Sequence, residues 1–288
     1  MVIVCREQHV YEVLDIERYQ SHGPSLLHSL WEFPRVLAEA GTFVSTYPLL
    51  RTAPRGDGHP VLVLPGFTAG DESTLLLRRY LSAQGYRALG WRLGRNTGSA
   101  KLQDRLARRF MRLLVAYDGK LSLVGQSLGG VFARELARQF PDRVRQVITL
   151  GSPFGAAQHG SNVNPLVSRL FQRLSGMSVD DMRDRIGDED ARAPIPTPST
   201  AIYSKSDGVV HWSTCLEYHS DHAENVEIIG SHSGMAMHPV SAYVIADRLA
   251  QPDGQWQPFT PPAGLKGLLL PTPASPGTPP DHAGLSGL

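Results

Sequence analysis

Between residues 61 and 229 short apolar runs alternate with longer stretches in which apolar residues recur at helical spacing. The runs at 61–64, 86–91, 121–124, 144–150, 201–203 and 226–229 are too short for helices and too uniformly apolar for strands with one wet face. They predict buried parallel strands. The stretches at 72–82, 101–117, 128–138 and 239–250 predict the intervening helices, the last opening on Pro239, a residue suited to a first turn. Alternation of this kind predicts a doubly wound, mostly parallel six-stranded α/β sheet with right-handed crossovers.

Upstream, Leu26, Leu27, Leu30, Trp31, Val36 and Leu37 show helical spacing, and Pro34 predicts a break into two short helical pieces. Residues 1–60 are therefore expected to form a helical preamble to an ordered unit at 61–250. About 45 residues separate the fourth and fifth strands, where the other crossovers take roughly 20–30, so a small helical lid insertion is expected at about 155–198. It holds an amphipathic run, Leu166, Val167, Leu170, Phe171 and Leu174, with Arg169 and Arg173 opposite, and then the acidic turn Gly187-Asp188-Glu189-Asp190. A packed surface helix and a mobile lid both accommodate this pattern. From Gln251 the chain turns rich in Pro and Gly with few charges, and 251–288 is expected to be a flexible tail.

Composition narrows the function classes. In 288 residues, 28 Lys+Arg face 27 Asp+Glu, so no broad field draws the protein to nucleic acid. With 41% hydrophobic and 19% charged residues the chain can bury a sizeable core. Cys5 and Cys215 are too few for a disulfide framework, and no Cys/His spacing of the zinc-binding kind appears, so no metal or cofactor is expected. The apolar stretch at 36–50 is interrupted by Glu39, Gly41 and Pro48, and the first residues lack a signal-type apolar core. A cytoplasmic protein without a transmembrane segment is expected, of unspecified oligomeric state.

Candidate chemistry begins at Gly125-Gln126-Ser127-Leu128-Gly129, a G-x-S-x-G pattern. The pentapeptide alone is a weak signal, but it lies between a predicted strand and a predicted helix, the setting of a nucleophile elbow. A serine hydroxyl needs a base, and the base needs an acid to fix its tautomer, in the chain order Ser, Asp or Glu, His. Asp207 lies just past the 201–203 strand, and His232 follows the 226–229 strand, so both fall at the same sheet edge as Ser127. Among rivals, His238 precedes Pro239 at a helix start, His211 is expected to pack beside Asp207, and His219, Asp221 and His222 read as a solvated loop. Asp188 and Asp190 would have to reach back from the insertion. The oxyanion donors expected on this geometry are the backbone N–H groups of Leu128 and Phe67, although Phe67 could equally serve as a pocket wall. Thr68, Phe154 and Trp212 are candidate pocket residues.

Pro65-Gly66-Phe67, the elbow Gly-Gln-Ser-Leu-Gly-Gly, the run Thr149-Leu150-Gly151-Ser152-Pro153-Phe154, YSKSDGVV at 203–210 and GSHSGM at 230–235 together resemble the α/β-hydrolase superfamily, in particular its bacterial lipase and esterase branch. The segment 90–96 also looks like hydrolases of this group. The resemblance covers about residues 60–250 and implies hydrolysis of a small-molecule or lipid-like ester through Ser127, Asp207 and His232, without a cofactor. The chain departs from the pattern at Pro65, where many lipases carry His before the Gly, and the two outer N-terminal strands of larger members are not evident. An acyltransferase using the same acyl-enzyme, or a non-catalytic binding protein on the same fold, are the alternative functions.

Overall fold

The structure, a computed structural model, describes residues 23–155, 163–179, 181–182, 193–217, 220–263 and 270–271. Cys5, the acidic turn at 187–190, His219 and most of the C-terminal segment lie outside these residues. Six strands pair in the order β2-β1-β3-β4-β5-β6: β1 Pro60–Leu64, β2 Arg87–Gly90, β3 Leu121–Gln126, β4 Val144–Leu150, β5 Ser199–Tyr203 and β6 Ala223–Glu227. Every pairing is parallel. The chain runs outward from β1 to β2 and then returns past β1 to β3, so the strand order reverses at the β1/β3 boundary, where an open α/β sheet presents a crevice at its carboxyl edge.

Period-2 alternation sorts the core into two layers. Val61, Val63, Val124 and Ile148 face one cluster with Phe43, Leu77, Tyr80, Val244 and Leu249. Leu62, Leu64, Leu123 and Val147 face the other with Leu106, Phe110, Phe132 and Leu136. The first layer is built by α1 Leu26–Ser45, the short α2 Tyr47–Leu50, α3 Leu75–Ala83 and α7 Pro239–Leu249; the second by α4 Ala100–Tyr117, α5 Leu128–Gln139 and α6 Pro165–Ser175. No helix among the described residues is long and apolar enough to cross a membrane.

Three expectations are corrected. Pro34 does not split the preamble: α1 is one helix of 20 residues that passes through it. A mid-helix proline leaves the carbonyl four residues back without its partner and costs about 3 kcal/mol. Here that carbonyl belongs to Leu30, an exposed residue where water can replace the donor, and tertiary bonds from Glu32, Arg35 and Glu39 hold the helix on both sides of the proline. The last strand begins earlier than its apolar run, because Glu224 is buried against Arg248, the Thr200 hydroxyl and the Phe259 amide and so can occupy a strand interior. Past Gln251, Phe259 is buried, so residues near it pack on the domain instead of trailing from it.

At the opposite, amino edge of the sheet, Asp57 and His59 lie in the loop before β1. The His59 imidazole contacts Asp57 at 2.5 Å through Nδ1 and Ser122 Oγ at 2.8 Å through Nε2. Ser122 is fully buried, Arg145 pairs with the other Asp57 oxygen, and burial lowers the His59 pKa. This cluster ties the entry loop to β3.

Candidate active site

β3 ends at Gln126 and α5 begins at Leu128, so Ser127 alone turns the chain, with φ 51° and ψ −125°. Positive φ is costly for a residue with a side chain and persists only where the surroundings hold it. Three glycines permit the turn. A Cβ on Gly125 would lie 2.4 Å from the Gly129 carbonyl oxygen, and one on Gly130 would overlap the Ser152 hydroxyl. At Gly129 a Cβ would meet the carbonyl oxygens of Leu64 and Pro65 at 2.5 and 2.6 Å, all backbone atoms that no rotamer can move. Gly129→Ala is therefore expected to destabilise the protein by about 1–3 kcal/mol, lowering the melting temperature by about 2–12 °C. An unchanged thermal melt would contradict this packing argument.

His232 and Asp207 come from the loops beyond β6 and β5. The Ser127 hydroxyl lies 2.9 Å from His232 Nε2, and His232 Nδ1 lies 2.6 Å from Asp207 Oδ2. Asp207 Oδ1 accepts the backbone N–H groups of Val209 and Val210 at 2.8 and 2.9 Å, which orients the carboxylate toward the imidazole. An acceptor-only carboxylate at Nδ1 places the ring proton there and leaves Nε2 free to accept from the serine. Burial alone would lower the His232 pKa, but the charge and hydrogen bond of Asp207, reinforced by the charge of Glu32, outweigh it, and the net shift is upward from 6.5.

The loop after β1 runs beside this serine. A Cβ on Gly66 would be 3.3 Å from Ser127 Cβ and 3.9 Å from its hydroxyl, so the chain passes with only contact distance between them. Leu128 is the first residue of α5, and first-turn amides have no acceptor within their own helix. A cleft open at its mouth is lined by Ser127, Phe67, Leu128, Val131, Phe154, Phe171 and Val210, and also by Arg134 and Arg138. α6 roofs it: Phe171 is buried and packs on Phe67 with ring centroids 5.3 Å apart, while Leu166, Leu170 and Leu174 stay exposed.

The family described as alpha/beta hydrolase fold matches residues 103–213, a span that includes Ser127 and Asp207. The chain has the α/β-hydrolase fold. Among solved structures, Aspergillus fumigatus lipase B is similar with a TM-score of 0.52 and 15% identity, over 72% of this chain and 56% of that one. An alpha/beta hydrolase enzyme from the metagenome of sediments of the Mar Chica lagoon, Morocco, gives 0.45 and 21% over 64% and 87%, and Bacillus licheniformis lipase BlEst2 in mature form gives 0.49 and 16% over 69% and 95%. At 15% identity the likeness to lipase B is one of fold. No curated protein matches the chain.

Within this hydrolase fold the expected residues separate into two groups. Ser127, Asp207, His232, Phe67, Leu128 and Phe154 gather at the carboxyl edge or along the cleft. Thr68 and Trp212 do not line it. Thr68 is held in a turn at φ 60° with its N–H donating to the Asn96 carbonyl, and the Trp212 ring stacks on Tyr203. His238 caps α7, where burial pushes its pKa down to about 4. His211 contacts the Ser213 hydroxyl, and Asp221 and His222 form the turn entering β6, at the far edge of the sheet.

Two supporting residues were not singled out from the sequence. Gln126, the variable position of the elbow pattern, donates through Nε2 to the carbonyls of His232 and Ser233 and so tethers the histidine loop to β3. Asn96 is fully buried, donates to the Pro65 carbonyl and accepts from Gly98, pinning the loop that carries Phe67. A lone Asn or Gln carries no periodic signal; its burial next to irregular backbone is what marks it.

Proposed function

We propose that the protein is a serine carboxylic-ester hydrolase of the lipase and esterase kind, acting on an uncharged ester with an apolar acyl group. The supporting observation is the Ser127–His232–Asp207 contact chain of 2.9 and 2.6 Å at the mouth of an apolar cleft. In this reading His232 Nε2 takes the hydroxyl proton as Ser127 Oγ bonds to the ester carbonyl carbon. The resulting oxyanion is held by the N–H groups of Phe67 and Leu128. His232 then returns the proton to the departing alcohol, water repeats the sequence on the acyl-enzyme, and the acyl chain occupies the cleft between α5 and α6. Asp207 holds the imidazole tautomer and stabilises its protonated form.

The direction of the His232 shift sets the pH dependence. Catalysis requires the neutral ring, and a pKa raised above 6.5 means that protonation already removes the base at mildly acidic pH. The acid limb of the kcat/KM profile is expected to be centred above pH 6.5, with activity falling as pH drops through it. A limb centred below pH 6.5 would reverse the predicted shift.

The reading is tested by fluorophosphonate labelling, with the adduct mapped by peptide mass, beside turnover of p-nitrophenyl esters from acetate to palmitate. Modification at Ser127 and hydrolysis of part of the series are the expected result. A folded protein that neither labels nor turns over any member would overturn it.

A further inference from the structure

α1 carries Glu32, Arg35 and Glu39 at spacings of three and four residues, which puts all three on one helix face. That face does not point to water. Glu32 Oε1 accepts the backbone N–H groups of Gly208 and His232 at 2.9 and 3.0 Å, and its Oε2 accepts that of Ser233 at 3.3 Å. Arg35 donates to the carbonyl and hydroxyl oxygens of Ser206 at 2.7 and 2.8 Å. Glu39 accepts the Ser231 amide at 2.6 Å and the Ser231 hydroxyl, and is itself buried. The partners are the residues on either side of Asp207 and on either side of His232. The fit is close in the backbone as well: a Cβ on Gly208 would strike the His28 carbonyl at 2.5 Å, and one on Gly234 would overlap the Glu39 carboxylate.

From this arrangement we infer that Glu32 is a positioning residue for the proposed acid–base pair, one carboxylate bridging the Asp207 loop and the His232 loop and fixing their separation. The inference rests on the ester-hydrolase reading of Ser127, Asp207 and His232. Geometrically, two loops that follow different strands have no covalent reason to keep a 2.6 Å contact; the Ser204 hydroxyl joins their bases by accepting the Ser206 and Gly230 amides, and Glu32 is the carboxylate that takes an amide from each, next to Asp207 and at His232 itself. A displacement of about 1 Å in such a site can cost about 100-fold in rate. Electrostatically, Glu32 adds a negative charge on the main-chain side of His232, which favours the imidazolium formed in the transition state. The groups facing His232 and its acid are Asp207 from the loop after β5, Glu32 from α1 and, against Asp207, the buried Cys215 thiol from the turn at Trp212–Cys215; Arg35 and Glu39 engage the flanking serines.

The test uses the full chain with Glu32→Ala and Glu32→Gln, reading kcat and KM for p-nitrophenyl butyrate and the fluorophosphonate labelling rate from pH 5.5 to 9, with thermal melts alongside. Glu32→Ala removes acceptor and charge, and kcat is expected to fall about 10- to 100-fold with KM nearly unchanged. Glu32→Gln keeps an acceptor but no charge; most of kcat should return at high pH, while the acid limb moves to lower pH than in the parent because the imidazolium has lost a favourable neighbour. A merely structural role would not move that limb. If the alanine variant melts too low to assay, the glutamine variant carries the test alone. Superimposable pH profiles for parent and Glu32→Gln, or a parental kcat in a folded Glu32→Ala, would overturn the positioning role while leaving the hydrolase reading standing. A parent that shows no Ser127-dependent labelling would overturn the hydrolase reading, and the positioning role with it.

Discussion

Ser127→Ala is expected to lower kcat for ester hydrolysis by about 10⁴- to 10⁶-fold while leaving the fold in place. The size of the loss follows from what is removed: the atom that would form the covalent bond to the acyl carbon. The residual rate would come from the oxyanion donors and binding alone. Stability should change little. Alanine and serine bear the positive φ of 51° at similar cost, since each has a Cβ, and His232 keeps its bond to Asp207 when the serine hydroxyl is gone. The lost hydrogen bond is worth about 0.5–1.5 kcal/mol, which for a domain of this size shifts the melting temperature by no more than about 6 °C. Steady-state kinetics with a thermal melt on the same preparation measure both. Retention of more than a tenth of the parental kcat would show that another group attacks the ester.

The second large effect concerns stability. Arg134 and Glu217 form an ion pair whose side chains are 1% and 0% exposed, and the Arg134 guanidinium lies 3.9 Å from the ring centroid of Phe154, a wall of the cleft. Removing one partner leaves the other charge buried without compensation. Arg134→Met or Glu217→Leu alone should each cost about 3–5 kcal/mol, which is about 6–20 °C in melting temperature. The double variant replaces both charges with apolar groups and should recover most of that loss, because the desolvation penalty disappears together with the attraction. Melts of the two single variants and the double variant complete the cycle. A double variant no more stable than the singles would mean that packing around Phe154, not the uncompensated charge, sets the cost.

The β1–β5 strands and the elbow were legible because each is carried by residues close together in the chain: a short apolar run, or a small-residue pattern between a run and a helix. Asp207 and His232 were legible for a related reason, since each follows a strand directly and the parallel topology brings strand ends to one edge. What escaped depends on distant partners. Pro34 is tolerated inside α1 because Glu32 and Arg35 are fastened to residues 171 to 201 positions away. The start of β6 is polar because Glu224 finds Arg248 across the layer. Thr68 follows Phe67 and Trp212 lies two residues past Val210, both of which line the cleft, but Thr68 sits in a positive-φ turn and the Trp212 ring stacks on Tyr203, local arrangements that composition does not encode.

The cluster of Asp57, His59 and Ser122 at the amino edge, exposed at Asp57 and buried at Ser122, gives the molecule a second Ser–His–Asp contact chain, with distances of 2.8 and 2.5 Å against 2.9 and 2.6 Å at Ser127. A search template of three residue types and two separations would return both and rank them alike. Their backbones divide them: Ser122 lies within β3 with its side chain sealed in the interior, whereas Ser127 stands on a left-handed turn at the start of a helix and opens on a cleft. The discriminating descriptor for such sites is therefore the conformation and exposure of the residue bearing the hydroxyl, and side-chain separations become informative only after that filter has been applied.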